Sequence, residues 1–350
     1  MAELWKKIAG CFTARETVRE ERICSEIFES MAILADGSVT CGCADIFEGR
    51  VLGNAAAQPI EEIFRGEKYR ELRRRMISGE LPPQCLRCPL RVRRRTGRET
   101  EQGGPLSWLQ VDPAFNCNLR CPDCALTEMR DADYFIRPRT ALSLDTFHRL
   151  VDQAASTLHH IRFHMLGEPF LNPNAVAMLQ YARDKVPGVF LSIETNGILL
   201  DPPLQKALVD ARVDYVKFSI DGATQEVYEK YRVGGDLRRA LDNMAGLINL
   251  RREADCNRPR VIWQYILFQW NDSDEHLAAA RAEARRIGMD ELYWLITHSR
   301  GASQRFVPDR PHPELEGPGE SVNFTIELAG AGGRILTRPE PNLKEYDPWK

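Results

Sequence analysis

The stretches VFLSIETNG (189–197) and DYVKFSIDG (214–222), with PLQKALVDA (203–211) between them, decide the architecture. The outer two are short apolar runs, rich in β-branched and aromatic residues, that stop at polar turns. The middle one has helical spacing. Working outward, the alternation repeats. Strand-like runs are SWLQVDPAF (107–115), IRFHML (161–166), VIWQYILF (261–268) and ELYWLIT (291–297). Helical patterns fill 144–158, 174–184, 236–253 and 274–287. The first of these puts Leu144, Phe147, Leu150, Val151, Ala154 and Leu158 on one face. The last opens with Asp272 and Glu275 at capping-box spacing and stops at Gly288. Six such units imply a parallel sheet with right-handed crossovers. The expected class is α/β, a partial (β/α)6 TIM-like barrel rather than a full eight-fold one.

Five segments are expected. Residues 1–23 form an amphipathic N-terminal segment, with Leu4, Trp5, Ile8 and Phe12 at helical spacing, read as packing on the protein itself. Residues 24–90 form a small cysteine-rich domain and 91–105 a basic linker containing Arg91, Arg93, Arg94 and Arg95. The barrel spans 106–300. An irregular tail, 301–350, offers VNFTIEL and GRILT as a terminal hairpin.

The chain has 350 residues and a formal net charge of −3, with 43% hydrophobic and 28% charged residues, which gives no global case for nucleic acid. No apolar run approaches the roughly 20 residues of a membrane helix, and the N-terminus has no signal-peptide core. The expected compartment is the cytoplasm. There the ten cysteines argue for metal or cluster binding rather than disulfides.

Cys117, Cys121 and Cys124 form a tight triplet after the first barrel strand. On a helix they would share one face, but Pro113, Asn116, Asn118 and Pro122 favour a loop. Structural zinc and electron-transfer clusters normally take four protein ligands. Three thiolates leave one iron of a [4Fe–4S] cube open; a zinc ion with a remote fourth ligand is the competing reading.

This CxxxCxxC loop resembles the signature of the radical S-adenosylmethionine (SAM) superfamily. Three further motifs at successive strand ends agree. Gly167, Glu168 and Pro169 resemble the GGEP motif, whose backbone and acid contact the SAM amino group. Glu194-Thr195-Asn196-Gly197 resembles the TNG turn. Ser219 and Asp221, followed by Arg232, resemble the site that holds the SAM carboxylate, a task suited to arginine. Asn271 is placed for the adenosyl part. Asp123 departs from the usual aromatic residue before the third cysteine, and Leu166 from the first glycine of GGEP. The resemblance implies a SAM-chelated [4Fe–4S] cluster, reductive cleavage of SAM to a 5′-deoxyadenosyl radical, and an electron donor such as flavodoxin or ferredoxin.

The N-terminal cysteines are Cys24, Cys41, Cys43, Cys85 and Cys88, with a hairpin turn at Asp36-Gly37. Four thiolates, one of them from Cys41 or Cys43, suit one closed centre, zinc or iron–sulfur. The layout resembles the SPASM/twitch auxiliary-cluster domain, which implies a second [4Fe–4S] cluster. In most relatives this module follows the barrel; here it precedes it.

The resemblance leads to an oxidoreductase or epimerase reading: dehydrogenation or epimerisation of a carbohydrate-like small molecule. Cys41, Cys43 or Cys256 would be the hydrogen donor for epimerisation. Peptide or protein modification is the alternative, lowered because only 23 residues precede Cys24. A non-catalytic iron–sulfur or zinc protein is a third reading. His164, Gln264, Tyr265 and Trp294 lie on strands that feed the barrel mouth, where they line the substrate site or pack the barrel.

Overall fold

A computed structural model describes residues 22–41, 51–81, 85, 93–94, 99–131, 140–308, 310–328 and 334–337. Cys43, Cys88 and the amphipathic N-terminal segment before residue 22 lie outside them. The N-terminal part runs β1 (Arg22–Ile23), α1 (Glu26–Glu29), β2 (Ser30–Ile33), β3 (Ser38–Thr40), β4 (Gly53–Asn54), α2 (Ile60–Phe64), α3 (Glu67–Ser78) and β5 (Arg93–Arg94). Next come β6 (Trp108–Val111), α4 (Ala125–Asp131), α5 (Leu144–Ala154), β7 (His160–Arg162), α6 (Ala175–Lys185), β8 (Phe190–Thr195) and α7 (Pro202–Asp210). Then follow β9 (Tyr215–Ser219), α8 (Gln225–Tyr228), α9 (Leu237–Glu253), β10 (Arg260–Leu267), α10 (Asp274–Ile287), β11 (Glu291–Ile296), β12 (Glu320–Leu328) and β13 (Arg334–Thr337).

One sheet carries most of the molecule, in the order β13-β12-β11-β10-β9-β8-β7-β6-β2-β3-β4. From β2 through β6 to β12 every neighbouring pair is parallel. The antiparallel strands β3, β4 and β13 flank this run, so the row is open, as a partial barrel is. Two features of this sheet go beyond the sequence reading. The expected tail hairpin forms, and its first strand, β12, also lies parallel to β11. At the other end β2 of the cysteine-rich part pairs with β6, placing Ser30 beside Trp108 and Ile33 beside Val111. The small domain therefore docks by continuing the sheet, which covers the free edge of β6. All four β2 residues are buried.

The β2–β3 hairpin turns at Asp36-Gly37, where Gly37 takes a φ of 86° and Ser38 N–H donates to the Asp36 carboxylate. In α10 the cap is Ser273, not Asp272: its hydroxyl oxygen accepts from His276 N–H. Asp272 instead accepts from the Ser303 hydroxyl and ties down the loop after β11. Gly288 ends the helix with a φ of 73°, as read from sequence. Ser273→Ala is expected to cost about 1 kcal/mol, seen as a lower urea midpoint at unchanged slope.

Arg73 of α3 is fully buried and, among the described residues, pairs with no carboxylate. Its guanidinium donates to the carbonyls of Ile27, Phe64, Glu101 and Gln102 and stacks on Phe64, 4.2 Å from the ring centre. Burial lowers its pKa to about 10. It fastens the cysteine-rich part to the segment that enters β6.

Candidate active site at the strand ends

In a parallel sheet the loops after the strands gather at one end. The loop after β6 holds the triplet. Leu119 N–H points at Cys117 Sγ, 3.4 Å away, and Arg120 N–H donates to Val233 O. Asp123 has a φ of 57°, and its carboxylate accepts from Arg300 N–H, which ties the loop to the one after β11. Cys117 and Cys124 are half-buried and, like Met165 and Leu166, pack against a small core of Phe115, Leu126 and Ala35 of the β2–β3 turn. Cys121 is buried. Burial pushes its thiol up to about 11, with the Arg232 guanidinium pulling the other way. Bound metal supplies the charge that deprotonates such thiols.

The loop after β7 presses onto this one. A Cβ at Gly167 would lie 1.9 Å from Ala114 O and 2.5 Å from Asn116 O, so only glycine allows the approach. Glu168 N–H then donates to Asn116 O. The Glu168 carboxylate is 2% exposed and accepts from the Thr195 hydroxyl (2.7 Å), Asn196 N–H (2.9 Å) and Phe170 N–H (3.4 Å). Burial raises it to about 7 against these hydrogen bonds. Pro169 opens a short 3-10 turn, Pro169–Leu171, that Glu168 caps. Asn196 donates to Asn118 Oδ1 at 2.8 Å and reaches Cys117 Sγ at 3.7 Å.

Arg232 lies between Asp221 and the cysteines. Its Nε is 2.6 Å from Asp221 Oδ2 and its Nη1 is 3.8 Å from Cys121 Sγ. Asp221 is fully buried, and its other oxygen accepts from Ile266 N–H at 2.6 Å. Burial raises the Asp221 pKa while Arg232 lowers it. With both oxygens engaged, Asp221 orients Arg232. Ser219 is half-buried, with Gln264 Nε2 at 3.5 Å.

Several expected roles change. Asn271 is fully buried; its amide accepts from Phe268 N–H and donates to Asp221 O and Ile266 O. It braces the loop and has no N–H left for an adenosyl group. Cys256 lies in the connection entering β10, where Arg258 N–H contacts its sulfur at 3.4 Å. Eight residues of strand, about 25 Å, separate that end from the mouth, so Cys256 is no hydrogen donor there. Tyr265 and Trp294 are fully buried against each other at 5.2 Å, with Tyr265 O–H on Asn271 O and Trp294 Nε1 on Glu320. They pack the barrel. Alternation instead puts Gln264 on the inner face beside Ser219.

Cys24, Cys41 and Cys85 converge on one small core formed by Ile23, Ile27, Phe28, Leu72 and Met76. That core lies toward the N-terminal ends of the strands. Cys24 precedes β2, and Thr40, next to Cys41, pairs with Ala32 rather than with the hairpin tip. The two cysteine groups thus occupy opposite ends of the β2–β6 ladder.

Two features fit a SAM-bearing cube. Among the described residues the buried Asn116 Oδ1, next to Cys117, has no hydrogen-bond partner. Glu168 and Arg232 supply a carboxylate and a guanidinium for the ammonium and carboxylate ends of an amino acid.

Sequence reading missed Thr195 as a brace for Glu168, and missed Glu194 and Lys217. Period-two alternation within the strands is the signal that points to the last two.

Residues 111–263 match the model of the Radical SAM superfamily, and residues 24–89 that of the SPASM iron–sulfur cluster-binding domain. The chain carries a radical SAM domain, with a SPASM domain ahead of it. The first takes a [4Fe–4S] cluster with SAM, the second an auxiliary iron–sulfur cluster. Two similar curated proteins come from Methanosarcina barkeri. AdoMet-dependent heme synthase is 32% identical over 39% of this chain and 36% of its own length, and Fe-coproporphyrin III synthase 30% identical over 53% and 43%. A cofactor-modifying protein for tungsten-containing aldehyde ferredoxin oxidoreductase from Pyrococcus furiosus is 30% identical over 47% of this chain and 45% of its own length. The chain thus spans less than half the length of each of these relatives.

Proposed function

We propose that the protein is a radical SAM enzyme that dehydrogenates a carbohydrate-like small molecule. The observation that carries the radical SAM part of this reading is the set of polar groups around the three cysteines: Asn116 Oδ1 unpartnered among the described residues, Glu168 buried and raised, and Arg232 held by Asp221. When bound, the cluster and SAM supply one-electron cleavage and a hydrogen-abstracting radical. Glu168 would accept from the SAM ammonium, which also relieves the burial of a carboxylate without a cation directly on it. Arg232 and Ser219 would take the SAM carboxylate, and Asn196 would hold the loop over Cys117.

The barrel interior suits a polar substrate. Gln110, His160, Arg162, His164, Glu194 and Lys217 alternate with residues of the helix-facing core. Dehydrogenation is preferred to thiol-mediated epimerisation because two of the candidate donors, Cys41 and Cys256, lie away from the mouth. The electron donor would be a flavodoxin or ferredoxin, and the compartment the cytoplasm; among the described residues no helix is long and apolar enough to cross a membrane.

Reconstituted, reduced protein with SAM is expected to release 5′-deoxyadenosine; none, with any substrate, would sink the enzyme reading. Deuterium entering product from heavy water would overturn dehydrogenation in favour of epimerisation. Glu168→Gln keeps the shape but removes the negative charge. SAM affinity by calorimetry is expected to fall roughly 10- to 100-fold, as for a charge-assisted hydrogen bond.

A further inference from the structure

The interior of the barrel holds a carboxylate braced from two sides. Glu194 and Lys217 face each other across the β8–β9 ladder. Phe218, the next residue along, turns outward: a Cβ on Gly197 would meet its ring and come within 3.6 Å of Ala240 O of α9. Lys217 and Glu194 therefore turn inward. Lys217 Nζ is 2.7 Å from Glu194 Oε1 and lies over the Tyr293 ring. His164 Nε2 is 2.9 Å from the same oxygen.

The two braces fix the charge of this group. Burial alone would raise the Glu194 pKa, but His164 and Lys217 outweigh it and hold it well below the usual range. Burial keeps His164 low, hence neutral near pH 7, so its Nε2 bears the proton given to Glu194. Both contacts fall on Oε1, while the Glu194 side chain keeps 29% exposure and that of Lys217 only 4%. The braces leave Oε2 for a ligand. Glu194 of β8 stands two residues before Asn196, which follows the strand, and Lys217 two before Ser219 on β9. Two residues of strand are about 7 Å, so the carboxylate sits one layer beneath the residues assigned to SAM.

We propose that Glu194 is the substrate-recognising residue, accepting through Oε2 a hydrogen bond from a hydroxyl or ammonium group of a polyhydroxylated molecule. His164 and Lys217 position it. This rests on the enzyme reading above but makes a separate claim about selectivity. An ionised, fixed acceptor favours donors and disfavours a carboxylate at the same place.

The test is a binding panel on the SAM-loaded full chain: myo-inositol (hydroxyls only), glucosamine (hydroxyls and ammonium) and glucuronate (a carboxylate). The expected order puts glucosamine or myo-inositol ahead of glucuronate, and which of the two leads distinguishes ammonium from hydroxyl recognition. In Glu194→Gln, binding of the leading ligand is expected to weaken roughly 10- to 100-fold, and its lead over glucuronate to shrink because the negative charge that repels a carboxylate is gone. Circular dichroism and iron content identify folded variants, and Glu194→Asp serves if the glutamine variant does not fold. Preference for glucuronate, unchanged affinity in the variant, or no binding by any member overturns the proposal. Substrate-free 5′-deoxyadenosine release by the wild type reports separately on the enzyme reading.

Discussion

Replacing Cys117, Cys121 and Cys124 together by alanine is expected to abolish 5′-deoxyadenosine release while leaving the N-terminal centre in place. Iron should fall from about eight to about four atoms per chain, the difference of one cube. The two expectations are separable because the two cysteine groups lie at opposite ends of the β2–β6 ladder and pack in different small cores. Cys117 and Cys124 touch Phe115, Leu126 and the β2–β3 turn; Cys24, Cys41 and Cys85 touch Ile27, Phe28, Leu72 and Met76. Loss of all iron would mean that the small domain needs the barrel cluster in order to assemble. Retention of about eight atoms would remove the triplet as ligands.

Asp221→Ala is expected to be the most damaging change that touches no cysteine. Arg232, 12% exposed at its side chain, would lose its carboxylate partner 2.6 Å away, and Ile266 N–H its acceptor. Leaving one member of a buried ion pair alone typically costs about 3–5 kcal/mol. Chemical denaturation should show a loss of this size, and folded protein should bind SAM more weakly because Arg232 is no longer aimed. A variant of unchanged stability would show that water enters and solvates Arg232, which its present burial denies. Asp221→Asn keeps the acceptor for Ile266 N–H and should lose less.

Much of this was legible in sequence because it depends on short-range regularities. The strands β8, β9, β10 and β11 and helices α6, α7 and α9 fall within a residue or two of their patterns, since each buries one face at its own period. The triplet was legible because Pro122 and the flanking asparagines exclude a helix there. Errors came where two local signals competed. Asp272 and Ser273 both resemble caps, and only the position of Ser303 assigned Asp272 elsewhere. IRFHML read as one strand, yet β7 stops at Arg162, and by Gly167 the chain presses its backbone against Ala114 and Asn116.

The side-chain roles depended on the fold. Asn271, Tyr265 and Trp294 had the chemistry to line the mouth; burial gave them to bracing and packing. Cys256 had a useful thiol at the wrong end of β10. Glu194 and Lys217, mid-strand residues without a motif, became a pair because parallel register set them side by side.

Sequence alone determined the alternating α/β architecture and the spacing of the cysteine triplet, because each is written in a few consecutive residues. Tertiary structure alone decided where the cysteine-rich domain docks, that β12 extends the sheet, and that Asp221 pairs with Arg232. Those depend on pairings between residues tens to hundreds apart, such as Ile33 with Val111 or Arg232 with Cys121, and no local pattern encodes them.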